Sequence, residues 1–265
     1  MMRLSDPFNL AKYVRYKEDK FVDFRNSGIQ KFKQAESFHS NIGLKVSKEI
    51  TPDIYKHLEL VCSRLKLPLN RVRAFIVSRP DINAGCIHFE KKGCIVILNS
   101  ALINVMSPGE ILFILGHEIG HFLMNHNYFD EDPEVTIEES IASRAGEISS
   151  DRIGLLACQD IDVAIRAIIR IQSGLNDSFL RFDTGAFLQQ MKTEKLYREY
   201  LYKSTHPSAT IRAKALLRFS LSEPYQKVVN NDTGTKIENV DRHIKKELSE
   251  YFKKEESSFF GGFFK

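Results

Sequence analysis

The chain is 265 residues long, enough to bury a sizeable core as one large domain or two small ones. With 43% hydrophobic and 27% charged residues it reads as a folded, water-soluble protein, which excludes disorder over most of its length. A net charge of +4 with no basic arm at either end gives no support to nucleic-acid binding; the strongest local bias is acidic, eight Asp/Glu against the single Arg144 in residues 126–151.

Residues 1–50 read as an N-terminal helical lead-in, with aromatic and basic residues in a loosely helical rhythm over 8–36 and no unbroken apolar run of the kind a secretory leader needs. Thr51-Pro52-Asp53 predicts a helix start, with Thr51 as the cap, and the helix is expected to end before Pro68. The pattern then changes to short apolar runs rich in branched residues. Residues 72–78, 84–90 and 93–99 are predicted strands, the last two joined as a hairpin around Lys91-Lys92.

Beyond residue 100 only helical signals follow. The segment from Gly93 to Gly116 is the most hydrophobic, but its polar residues make it a poor membrane span. Ser107-Pro108-Gly109-Glu110 has the residues of a capping box, and the helix it opens is apolar on nearly all sides, so it is expected to be buried. The four cysteines (Cys62, Cys86, Cys94, Cys158) show no metal or disulfide spacing and read as reduced thiols of a cytoplasmic protein. The fold class expected is α+β, mostly helical, with a small sheet. Residues 51–220 form its main domain, and 221–265 are a helical extension with an aromatic tail over 257–265.

His117-Glu118-Ile119-Gly120-His121 places two imidazoles four residues apart on one helix face, close enough to bind one ion. Glu118 lies about 100° around the axis, where it can take a proton from a water on the metal and pass it to a leaving amine. Buried in an apolar helix, these polar groups need a partner, and a metal ion is one. Catalytic zinc wants a third protein ligand. On the predicted helix 138–158, Glu147 and Asp151 share a face, so Glu147 can ligate while Asp151 accepts a hydrogen bond from the outer nitrogen of a ligating histidine. Rival third ligands are Glu138, Glu139 and His126, the last pointing off the shared face. His206-Pro207-Ser208 reads by itself as a loop capping the next helix; held near the metal, His206 can also donate to an oxyanion.

The ordered set, H-E-x-x-H, then Glu147-x-x-x-Asp151, then His206-Pro207-Ser208 followed by Arg212, resembles the metallopeptidase family of HtpX, the CAAX prenyl protease and BepA, the gluzincins of metallopeptidase family 48. The resemblance covers roughly residues 51–219. It implies a zincin-like fold with the sheet packed on the H-E-x-x-H helix. It further implies one Zn2+ per chain on His117, His121 and Glu147, catalysis by Glu118 with transition-state stabilisation by His206, and a supporting role for Asp151. Asn83-Ala84 is similar to the pair that lines the cleft in this family, where the neighbouring edge strand binds substrate backbone; Arg212 is grouped with it as substrate-binding. Two departures stand out. The chain lacks the transmembrane helices or signal peptide of many members, and its stretch from His121 to Glu147 is short, as in a compact form with an open cleft.

The function expected is therefore a zinc metalloendopeptidase acting on protein or peptide substrates. The alternative is a zinc-binding chaperone-like or scaffold protein with the same fold and little peptidase activity, although a pure scaffold does not need Glu118. Hydrolysis of a non-peptide substrate is a third reading.

Overall fold

The sheet is built from β1 (Gly43–Lys45), β2 (Val72–Val77), β3 (Ala84–Phe89) and β4 (Gly93–Asn99), in the spatial order β1-β2-β4-β3. The computed structural model describes residues 6–19, 29–89, 92–126, 137–193 and 206–246. β4 is central, parallel to β2 and antiparallel to β3. Its run Cys94-Ile95-Val96 is buried on both faces, as its lack of polar alternation requires. Three of the four strands fall where the sequence predicts them. β1 does not: three residues are too few to carry a period-two signature, and the strand forms because the edge of β2 offers it a partner from Gly43↔Val77 to Lys45↔Phe75. Of the hairpin turn at Lys91-Lys92, Lys91 lies outside the described residues, as do most of the acidic 130–139 stretch and all of the tail 257–265.

Two helical layers cover the sheet. On one face α2 (Ile29–Ile42) brings Phe32 and Ala35 onto Phe75, Phe89 and Ile95. On the other, the main core unites the sheet with α1 (Pro7–Val14), α3 (Pro52–Arg64), α5 (Pro108–Met124) and α6 (Ile137–Cys158). The short α4 (Ser100–Val105) links β4 to α5, and α7 (Ile161–Ser173), α8 (Thr184–Thr193), α9 (Ala209–Ser220), α10 (Glu223–Val228) and a helix over 237–246 follow α6. The mostly helical α+β architecture has its sheet confined to the first hundred residues.

The cap predicted for α5 is present in both directions: Ser107 Oγ accepts from Glu110 N and Glu110 Oε2 accepts from Ser107 N. Thr51 occupies the cap position of α3, but its hydroxyl makes no cap bond and accepts from Ser47 N instead, at 3.0 Å. Every residue of α5 from Glu110 to Met124 is buried. It packs against α6 at very short range because both helices carry glycine at the crossing. A Cβ on Gly116 would lie 2.4 Å from Ala157 Cβ, and one on Gly154 2.8 Å from the Phe113 ring. That closeness brings a side chain of α6 into the H-E-x-x-H face. Among the described residues, no helix is long and apolar enough to cross a membrane.

Candidate metal centre

His117 and His121 project from α5, Glu147 from α6, and all three are buried. Each offers a ligand atom, and these atoms lie within 4.8 Å of one another. The two Nε2 atoms are 3.0 Å apart; Glu147 bridges them, Oε2 at 3.4 Å from His117 Nε2 and Oε1 at 3.4 Å from His121 Nε2. A tetrahedral shell with bonds of about 2.0–2.1 Å has donor-to-donor edges of roughly 3.3 Å, so the triangle has the size such a cation needs.

The electrostatics call for a cation there too. Burial would raise Glu147, but the two imidazoles hold it well below the usual carboxylate range. Burial opposes a charge on His117, yet Glu147 and Asp151 push it up to about 10; burial keeps His121 well below an ordinary imidazole.

Behind His117 stands Asp151, whose Oδ1 accepts from His117 Nδ1 at 2.9 Å. Burial alone would raise this carboxyl, but Arg212 holds it below its ordinary value. The guanidinium grips it with both arms, Nε to Oδ2 at 2.8 Å and Nη2 to Oδ1 at 2.6 Å. Since an ionised Asp151 can only accept, His117 must donate from Nδ1, so Nε2, on the side of Glu147, is the nitrogen that can give up its proton and turn a lone pair to a metal. Arg212, expected against the substrate, is thus buried against Asp151, one turn into α9.

His206 sits just ahead of that helix, its side chain 55% exposed and its Nε2 3.6 Å from Glu147 Oε1. Ser208 caps the helix, accepting from Ile211 N, so the loop reading and the site reading of this segment hold together. Glu118 is buried next to the cluster, and burial pushes its carboxyl up to about 7, with the charges of His117 and Arg212 opposing and that of Glu147 adding.

Asn83 and Ala84 open β3, the last strand of the sheet among the described residues. Their described hydrogen bonds run to Asp81, Asn99 and each other, and none of these reaches the cluster. The strand itself does come close, because Cys86 feels the charge of Glu118 and faces Phe122 of α5. Asn99 N donates to Asn83 O, so along the antiparallel ladder the backbone groups of Ala84, Cys86 and His88 turn to the outer edge, beyond which no strand lies among the described residues.

Around His121 sequence reasoning missed Ser150 and Asp19, and weighed His126 only as a rival third ligand. His126 Nδ1 is 3.0 Å from His121 Nδ1, Ser150 Oγ is 3.1 Å from the same nitrogen, and Asp19 Oδ2 is 3.0 Å from His126 Nε2. His126 therefore stands behind the ligand and not beside it, and Glu138 and Glu139 have side chains outside the described residues. Nothing in the sequence ties Asp19 to a histidine 107 positions away.

The model of Peptidase family M48 matches residues 50–131, a span that includes His117, Glu118 and His121 and stops short of Glu147. Over that span, under a third of its length, the chain is similar to peptidase family M48. The plastoglobule-localized metallopeptidase 48 of Arabidopsis thaliana is 22% identical over 220 residues, covering 71% of this chain and 63% of that protein. A Protease HtpX homolog of Streptococcus equi subsp. equi is 31% identical over 114 residues (41% and 36% of the two chains), and one of Streptococcus thermophilus 28% over 102 residues (38% and 33%). The chain thus spans less than two thirds of each of these relatives. No solved structure matches it.

Proposed function

We propose that this chain is a member of peptidase family M48 and a zinc-dependent metalloendopeptidase of the gluzincin type, with a zincin-like fold, that hydrolyses peptide bonds of protein substrates. The observation that carries the reading is the buried triangle of His117 Nε2, His121 Nε2 and Glu147, with edges of 3.0, 3.4 and 3.4 Å. Two imidazoles and a carboxylate are a donor set suited to zinc, and its relatives include proteins called protease and metallopeptidase. Zinc bound there supplies Lewis acidity, polarising a carbonyl and lowering the pKa of water.

The protein's own groups do the rest. Glu118, buried beside the two histidines, is placed to accept a proton and return it to a leaving amine. His206, on the exposed side of Glu147, donates to the oxygen on which negative charge develops. Asp151 and Arg212 hold His117 in one tautomer and orientation. The outward backbone groups of Ala84, Cys86 and His88 receive an extended peptide as an added strand, with Asn83 at its end.

The test is metal analysis with a chelator-sensitive assay on casein, for wild type and Glu118→Gln. We expect about one zinc per chain in both, and a casein rate lower by ~10^2–10^4-fold in the variant. Wild type that binds zinc and cuts no unfolded protein would instead favour the scaffold reading. Equal cleavage by both would remove Glu118 from the mechanism.

A further inference from the structure

The two imidazoles of the triangle are supported differently. His117 rests directly on a carboxylate, Asp151, that is clamped by an arginine. His121 is met by other groups at its outer nitrogen. Its Nδ1 meets His126 Nδ1 at 3.0 Å and Ser150 Oγ at 3.1 Å. On the far side of His126, Nε2 meets Asp19 Oδ2 at 3.0 Å, and Asp19 Oδ1 lies 3.5 Å from Arg15 Nη1.

Only one proton arrangement satisfies this chain with neutral imidazoles. Asp19 is held ionised in its pocket, so it accepts and His126 must donate from Nε2. His126 Nδ1 then carries a lone pair and accepts. His121 must donate from Nδ1, which frees its Nε2 for the triangle. Ser150 can take a share of the same proton, since its hydroxyl lies 3.3 Å from His126 Nδ1 and can donate there in turn.

We infer that His126 and Asp19 are positioning residues for the metal site: through an Asp19–His126–His121 chain they fix the tautomer and orientation of the second ligand, as Asp151 does for the first. This rests on the reading that His121 binds the metal. The segment 6–19 is then part of the centre and not a lead-in to it.

A second observation supports the placement. A Cβ on Gly146 would come within 3.3–3.4 Å of three atoms of the His126 ring, so glycine beside Glu147 leaves the seat in which that ring lies. The N-terminal segment is also pinned to both site helices, by Arg15 Nη2 donating to Met124 O at 2.5 Å and by Tyr16 N donating to Ser149 Oγ at 3.0 Å. Asp19 is therefore held at fixed distance from His126 by the backbone around it.

The test measures Zn2+ affinity of the full chain by competition with a chelating dye, together with the visible spectrum of the Co2+ form. Asp19→Ala and His126→Ala are each expected to weaken zinc binding by roughly 10–100-fold. The double variant should be no weaker than the worse single one, because both act through one chain. Asp19→Asn and His126→Asn keep an accepting oxygen where it is needed and should restore most of the affinity. The Co2+ spectrum should shift in the alanine variants, and the loss of affinity should exceed what any fall in metal-free melting temperature accounts for. The inference is overturned if the alanine variants bind zinc like wild type, if their losses add in the double variant, or if the loss of affinity simply follows a fall in metal-free stability. Wild type that takes up no zinc would overturn the metal reading itself, a result distinct from all of these.

Discussion

Glu118 is where burial and chemistry conflict most directly. In an unfolded chain its carboxyl titrates near 4.5, while in the folded, metal-free protein burial pushes it up to about 7. The folded state therefore holds the proton more tightly than the unfolded one. Below pH 4.5 both states are protonated and the group has no effect on stability. As pH rises from 4.5 to 7 the unfolded state ionises first, and stability falls, reaching a full loss of ~3 kcal/mol above pH 7. Glu118→Gln removes that loss. In chelator-treated protein the variant should match wild type at pH 4 and exceed it by up to ~3 kcal/mol at pH 8. Urea unfolding at the two pH values measures the difference, and a gap that does not change with pH would contradict the burial argument. The same group that weakens the resting protein is the one a peptidase needs, which is a common trade between stability and function.

At the scale of elements, the crossing of α5 and α6 sets the geometry. The His-x-x-x-His and Glu-x-x-x-Asp spacings could be read from the sequence because a helix turns 3.6 residues per turn and leaves i and i+4 on one face. The distance between the two faces was not legible there, since it depends on which residues meet at the crossing. Gly116 and Gly154 answer that in the structure. Likewise the three strands with long apolar runs were readable, but β1 was not, and Asp19 and His126 meet only through tertiary packing. Gly116→Ala tests the crossing. Its methyl would stand 2.4 Å from Ala157 Cβ, a separation that forces the helices apart. The expected cost is ~1–3 kcal/mol, and Glu147 should move with its helix, weakening zinc binding. Gly85→Ala is the control, because nothing lies within 4 Å of the added carbon. If Gly116→Ala is as stable and binds zinc as well as the control, close packing of these helices is not what brings Glu147 to the histidines.

Over the whole molecule, one buried cation joins the two ends of the described chain to α6. Arg152 is fully buried, donates Nη1 to Val14 O at 3.0 Å and Nη2 to Asp241 Oδ1 at 2.6 Å, and lies between the rings of Tyr16 and Phe219 at 5.3 and 5.0 Å. Asp241, from the helix over 237–246, also accepts from Lys17 N through its other oxygen. Removing that carboxylate strands the charge on Arg152, and breaking a buried pair from one side costs ~3–5 kcal/mol. Asp241→Ala should therefore unfold at a clearly lower temperature. Its effect on the metal should be small, because Arg152 points toward Val14 and Phe219 and makes no described contact with His117, His121 or Glu147. Zinc at 100 times its dissociation constant stabilises the folded state by ~2.7 kcal/mol, a shift of roughly 5–10 °C for a chain of this size. Thermal unfolding with zinc and with chelator should show that increment in wild type and in Asp241→Ala alike, on two different baselines. In Asp19→Ala the increment itself should shrink. An increment lost in Asp241→Ala as well would mean that the metal reads the stability of the whole fold, and that no separate wiring of Asp19 to the centre exists.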